Sequence, residues 1–464
     1  MKHIILLLLF TYTFLGFTYS QSPKITGTIK ISIIKGTIEG NMEVSNVPNI
    51  STYSIWLNAG LNIKYFRDST DKFNYDFDKY YNSDKSGEAF QYILSLKDSV
   101  ILPKKFKINY VGAFPVVTDT NRMSDRNDWK GNMAFNGKTF RASDQSAWYP
   151  ILYDTTNDII YDKVTYDVSV ICKDCTSIYL NGSEPKLTDS ASFKSEKPLG
   201  LLLFVGNYIF DKLDKAYFVN SELLPSEEKV LSDWTARITN YYEKKLKHSY
   251  GSNITYLGST PLSKFNNWAF VTYPTFSFIG NKWNLKASFN TQTHQIKDSS
   301  DITFIAHELG HYYFGNSFIP NSDLKWFFLE GITDYLSIKV SKELLGDRVY
   351  KNIIEDYCKN VENFKGIPLN KIEKVNDINT QYRYNYIPLL LISLENQIGK
   401  ENMWKWLSFL LDIKGNYLSN YAFFKSSIIK SGISLKEFTD FENTYIKAND
   451  SKERVLECVH KTLQ

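Results

Sequence analysis

Residues 307–316 read His-Glu-Leu-Gly-His-Tyr-Tyr-Phe-Gly-Asn, and residues 326–335 read Trp-Phe-Phe-Leu-Glu-Gly-Ile-Thr-Asp-Tyr. An α-helix advances 3.6 residues per turn, so His307 and His311 share one face, one turn apart. Two imidazoles so placed bind a single zinc ion, and Glu308 beside them reaches the water that such an ion activates. Ser300 or Asp301 is expected to cap this helix, with Ile302, Phe304, Ile305 and Leu309 as its apolar positions. Zinc takes a third protein ligand and keeps one position open. Glu330 meets that need. It follows His311 with 18 residues between, in a second apolar helical stretch where a lone carboxylate is costly unless paired or bound to metal. Asp334 lies four residues further along the same face, placed to accept the second N–H of a ligating imidazole.

The competing account is a buried, hydrogen-bonded histidine pair on an apolar helix. The chain holds only 6 His, two of them in this pentapeptide, and the spacing of Glu330 and Asp334 favours a metal. His3, His248, His294 and His460 each stand alone in the sequence. The parts imply hydrolysis of a peptide or protein substrate with one zinc ion per chain. Glu308 takes a proton from water and delivers it to the leaving amine. The oxyanion that forms needs a second electrophile, for which a tyrosine hydroxyl from a later helix suits.

Upstream of this region the pattern changes twice. From about residue 22 to 203 the chain is strand-rich, with Ile25 to Ile34, Tyr53 to Leu57 and Val164 to Ile171 in rough alternation. Asn136-Gly137 and Asn181-Gly182 punctuate the strands. A helix follows Pro225, capped by Ser226, with Val230, Leu231, Trp234, Ile238, Tyr242 and Leu246 at helical spacing until Gly251. Strand-like segments run from Trp268 to Ile279 and from Leu285 to Asn290, and from Asp301 onward the chain is mainly helical. The fold class is therefore multidomain. An N-terminal antiparallel β domain spans residues 21–204, an α+β catalytic domain spans 205–445, and a helical tail spans 446–464.

A length of 464 residues calls for more than one domain, and 43% hydrophobic with 22% charged residues is ordinary for a globular protein. The net charge is +4 with no long Lys/Arg run, so no nucleic-acid partner is expected. Residues 1–20 read as an export signal, with Lys2 and His3 ahead of the apolar run Ile4 to Phe17. A secreted or periplasmic protein is expected, without a stable membrane span after signal cleavage. Export permits disulfides among Cys172, Cys175, Cys358 and Cys458, and three pairings are possible. A disulfide or two inert thiols fit Cys172-Lys173-Asp174-Cys175 better than a metal site, because no further Cys or His pair lies nearby. The sequence does not reveal the oligomeric state.

His307 to Asn316 followed by Trp326 to Gly331 resembles the aminopeptidase N and leukotriene hydrolase family of gluzincin metallopeptidases. Tyr241-Tyr242-Glu243 before Tyr250-Gly251 is similar to the helix that opens that family's catalytic domain, and Arg141 to Pro150 with Asn181-Gly182 to parts of its saddle-shaped β domain. The resemblance implies a thermolysin-like catalytic domain and a catalytic tyrosine ahead of the helix Leu389 to Gly399. Counting back from Gly399 selects Tyr384, which Tyr382 and Tyr386 flank. The family's aminopeptidases anchor the substrate amine with a Glu in a Gly-x-Met-Glu-Asn segment. The counterpart expected here, Tyr273 to Asn281, has no Glu, and none occurs between Glu243 and Glu308. The resemblance thus implies a peptidase without the usual amine anchor. The alternatives are a strict aminopeptidase with a substitute acid, for which Asp301 and Asp323 are available, and a peptide-binding relative without turnover. The segment Tyr273 to Asn281 is also expected to pair with an extended substrate, as edge strands do. The 65 residues after Gly399 imply a less enclosed cleft than in relatives with a large helical C-terminal domain.

Overall fold

The computed structural model describes residues 22–463 apart from 51, 69–76, 82–87, 95–102, 120–130, 215, 261–267, 280–284 and 415–416. The export signal expected at residues 1–20 lies outside the described residues.

Strict alternation builds the first sheet. In Thr37–Ser45 the buried positions are Ile38, Gly40, Met42 and Val44; in Lys163–Ile171 they are Val164, Tyr166, Val168 and Val170. A strand with one apolar face must cover that face, and here it covers a shared core. The sheet has six strands in the order Ser190–Gly200, Lys163–Ile171, Lys24–Ser32, Thr37–Ser45, Phe106–Ala113 and Leu61–Asp68. Its one parallel pair joins Lys24–Ser32 to Lys163–Ile171. A five-stranded and a four-stranded sheet complete the β part, and their pairs are antiparallel. The last strand, Leu203–Gly206, runs past residue 204 and pairs with Thr139–Ala142. Cys172 and Cys175 form a disulfide in the loop after Lys163–Ile171, while Cys358 and Cys458 are free thiols.

A second architecture follows. Phe210–Leu213, Ala216–Val219, Ile254–Gly258, Thr275–Ile279 and Trp268–Thr272 form a five-stranded sheet in that order. Its inner face joins the β part through a small apolar cluster of Tyr179, Leu202 and Phe204 with Tyr217, Val219 and Leu257. Asn181 stitches the two, donating through Nδ2 to Gly200 O at 2.7 Å and to Tyr273 O at 2.8 Å. Gly182 turns the chain at φ +83, a left-handed conformation that strains a residue carrying a Cβ.

The helices are α1 (Pro225–Leu246), α2 (Ser299–Gly310), α3 (Ile332–Leu345), α4 (Asp347–Val361), α5 (Ile387–Ile398), α6 (Lys400–Asp412), α7 (Tyr421–Lys430), α8 (Leu435–Phe441) and α9 (Ser451–Thr462). Two caps differ from expectation. Leu224, not Ser226, precedes α1, because Pro225 takes the first helical position and Glu227 Oε2 accepts the Leu224 N–H at 2.9 Å. Asp298, not Ser300 or Asp301, caps α2, its carboxylate accepting from Ser300 N at 2.8 Å. Leu285–Ser288 is a 3-10 turn rather than a strand; four residues with one buried apolar position do not fix a period. The C-terminal α9 is no loose tail, since Val455 and Val459 are fully buried in the main core. Among the described residues no helix is long and apolar enough to cross a membrane.

Candidate active site

Helices α2 and α3 run side by side because both are apolar where they meet. Ile302, Ile305, Ala306 and Leu309 are buried on α2, and Ile332, Leu336 and Val340 on α3. The Tyr242 hydroxyl of α1 donates to Ala306 O at 2.7 Å, which fixes α2 from behind. His307 and His311 emerge one turn apart with ring centroids 4.9 Å apart.

Glu330 does not sit on a regular α-helix. It belongs to a five-residue π-helical turn, Phe327–Gly331, that leads into α3. Tyr384 stands on a second such turn, Tyr382–Tyr386, that leads into α5. A π-turn inserts one residue into a helical ladder and re-aims the side chains around it, and such turns concentrate at functional sites. The two turns touch. A Cβ on Gly331 would lie 2.3 Å from Ile387 Cγ2, so the missing side chain lets the start of α5 press against the Glu330 turn. A buried ion pair between Lys339 Nζ and Glu395, at 2.7 and 2.9 Å, ties α3 to α5 further along.

The geometry at the centre is tight. His307 Nε2 is 3.3 Å and His311 Nε2 is 3.4 Å from the same oxygen, Glu330 Oε2. The other ring nitrogens are also engaged: His307 Nδ1 lies 3.3 Å from Asp334 Oδ1, and His311 Nδ1 lies 3.3 Å from Phe314 O. Each Nδ1 faces an acceptor, so with an ion bound the Nδ1–H tautomer would leave each Nε2 lone pair for the metal. Burial opposes charge on His307, but its hydrogen bonds to the Asp334 and Glu330 carboxylates outweigh it and raise its pKa well above the ordinary value. Burial likewise opposes charge on Glu330, and the neighbouring His311 and His307 overcome it, holding the carboxyl well below its usual range. The three ligand atoms lie within 4.8 Å of one another. Two imidazole nitrogens and one carboxylate oxygen are a zinc donor set, so the residues fit that ion.

Tyr357 on α4 was not legible as a site residue in the sequence. Its hydroxyl donates to Asp334 Oδ2 at 2.7 Å, so Asp334 bridges Tyr357 and His307. Burial, then the Asp334 charge, push the Tyr357 phenol up and keep it protonated as a donor. No spacing signal marks it, since it comes from a helix 23 residues beyond Asp334. His307, Glu308, Asp334, Tyr357 and Tyr384 line one cavity of about 570 Å³. The Tyr384 ring stands 6.1 Å from the His307 ring, and burial followed by the Glu330 charge raises its pKa, so the phenol carries its proton. Its neighbours point elsewhere. Tyr382 donates to Ile367 O at 2.9 Å, and Tyr386 packs on Phe364 at 5.3 Å.

Tyr273 to Asn281 does not supply the edge strand. Thr275–Ile279 is interior, flanked by Ile254–Gly258 and Trp268–Thr272, and among the described residues the edge is Trp268–Thr272; Asn281 lies outside them. The hairpin explains the difference: both strands are apolar, and sequence alone did not say which one the sheet encloses. Asp301 turns towards Ser288, 3.4 Å away, and does not line the cavity.

No protein-family model matches the chain. A leucine aminopeptidase 2 from Emericella nidulans is 28% identical over 163 residues, which is 32% of this chain and 26% of that protein, so the match spans about a quarter of the relative. Among solved structures, an M1 zinc metallopeptidase from Deinococcus radiodurans aligns over 91% of this chain and 93% of its own, with a TM-score of 0.63 and 12% identity. Leukotriene A4 hydrolase from Saccharomyces cerevisiae aligns over 92% of this chain and 67% of its own, with a TM-score of 0.62 and 14% identity. From its β sheets through the helices that carry the histidines, the chain has the fold of the M1 zinc metallopeptidases and leukotriene A4 hydrolase.

Proposed function

We propose that the protein is an exported zinc metallopeptidase that hydrolyses peptide bonds without the usual free-amine anchor. The observation that carries this reading is the convergence of two histidine Nε2 atoms on the Glu330 carboxylate, with Glu308 on the adjoining cavity wall. His307, His311 and Glu330 would hold the ion, and Asp334 would orient His307. Zinc, when bound, supplies the Lewis acidity that activates water and polarises a carbonyl. Glu308 accepts the proton from water and later gives it to the leaving amine. The Tyr384 hydroxyl, kept protonated by burial, donates to the oxyanion that develops on the substrate carbonyl. Residues 1–20 support export by their charged start and short apolar run.

The amine question has a direct test. Purified protein is given a peptide and its N-acetylated form. The proposal expects comparable rates, because no Glu occurs between Glu243 and Glu308 to grip the amine. An amine held by a carboxylate would slow the acetylated form by about tenfold or more, and that result would favour a strict aminopeptidase instead.

Tyr357→Phe removes one hydrogen bond from Asp334 and little volume. Outer partners of a ligating histidine typically contribute tenfold or more to metal affinity, so zinc should bind about tenfold more weakly to this variant. Competition with a chelator measures the change. Equal affinity in the two proteins would mean that Asp334 holds its place without Tyr357.

A further inference from the structure

The cavity extends well beyond the residues that the chemistry needs. It follows one face of α2 through Ser300, Thr303, Phe304, His307 and Glu308, positions spaced three, four, seven and eight apart. Opposite runs one face of α4, through Val349, Asn352, Ile353, Asp356 and Tyr357, at the same helical spacing. At 1.5 Å per residue, Ser300 stands roughly 10 Å along the axis from His307. The space between the two helices is therefore a trench that starts at the proposed catalytic residues and runs towards the start of α2.

Its walls have a distinct chemistry. The sides are apolar, formed by half-buried Phe304, Val349 and Ile353 with the Tyr357 ring. The rim is acidic: Asp356 stands exposed beside Tyr357, and at the far end stands Asp298, exposed but engaged as the cap of α2. No Lys or Arg lines it among the described residues. Lys297 acts on Asp298 from outside the lining. Asp334 is already paired with His307 and Tyr357, so it does not serve this rim.

From this trench we infer that the protein selects substrates with a lysine or arginine side chain next to the cleaved bond. The inference rests on the peptidase reading and deepens it. A long aliphatic stem lies along Phe304 and Ile353, and the cationic tip reaches the acidic rim at Asp356, as amphipathic side chains do when they bury a stem and keep the charge wet. An acidic side chain would meet Glu308 and Asp356 with no Lys or Arg in the lining. A short apolar side chain would fill only the throat and leave the rim unused.

The test uses zinc-loaded protein and pairs of peptides that differ only by lysine or Nε-acetyl-lysine on either side of the cleaved bond. Lysine should be favoured in kcat/KM by about fivefold, the size expected of a solvent-exposed ion pair, and the preference should shrink at high salt. Asp356→Lys should abolish or reverse it. The same peptide pairs are also measured by fluorescence anisotropy on Glu308→Gln, which reads binding without turnover. If the wild type cleaves peptides, but neither rate nor binding separates lysine from acetyl-lysine, the inference falls and the peptidase reading stands. If no peptide is cleaved while binding still favours lysine and Asp356→Lys removes that preference, the trench assignment stands and the peptidase reading falls. An unchanged preference in Asp356→Lys overturns the trench.

Discussion

Glu308→Gln should keep its zinc and its fold while losing peptide hydrolysis by at least about a thousandfold, roughly 4 kcal/mol of transition-state stabilisation. The substitution replaces a carboxylate oxygen with an amide of nearly the same shape. The side chain still lines the cavity beside His307, yet it no longer accepts a proton from water. Neither ligand atom set is touched, because the convergence on Glu330 involves the two Nε2 atoms alone. Steady-state kinetics on one good peptide, with metal content measured in the same preparation, separates this outcome from simple loss of metal. Hydrolysis at the wild-type rate would remove Glu308 from the mechanism.

Glu330→Gln should act the other way, on the metal first and on the chemistry as a consequence. Glu330 Oε2 is the one atom that both imidazoles approach, so its loss leaves two ligands where zinc requires three from the protein. Zinc affinity is expected to fall by about a hundredfold or more, beyond the range seen for outer partners of a ligand. A metal that binds only the folded chain also stabilises it, so adding zinc should raise the Tm of the wild type and leave that of the variant nearly unchanged. Thermal unfolding with and without zinc reads this directly. A variant that kept wild-type affinity would show that the carboxylate at 330 is not a ligand.

How much of this was legible in the sequence depends on the range of each signal. His307 and His311 were readable because helical spacing alone puts them on one face. Glu330 was readable as a carboxylate with no partner in an apolar stretch. The way it is delivered was not, because a π-helical turn has no period of its own, and Phe327–Gly331 looks like the opening of an ordinary helix. The same holds for Tyr382–Tyr386. There, counting along the chain singled out Tyr384, and only three-dimensional packing sends Tyr382 to Ile367 and Tyr386 to Phe364.

Contacts between distant elements left no trace in the sequence. Tyr357 reaches Asp334 because α4 folds back along α3, and the Lys339–Glu395 pair forms because α5 crosses the same helix. Local rules also misassigned both caps. Ser226 and Ser300 are good capping residues, but Pro225 and Asp298 lie one and two residues earlier and take the helix starts. In the β part, alternation identified Val164 to Ile171 as a strand. It carried no sign that this strand pairs in parallel with Lys24–Ser32, which is a long-range choice.

The most direct measurement is the metal content of the purified chain, together with X-ray absorption at the zinc edge. The account predicts one zinc per chain, with two imidazole nitrogens and light oxygen donors around it and no sulfur. A preparation without stoichiometric metal, or a zinc held by thiolate, would contradict it.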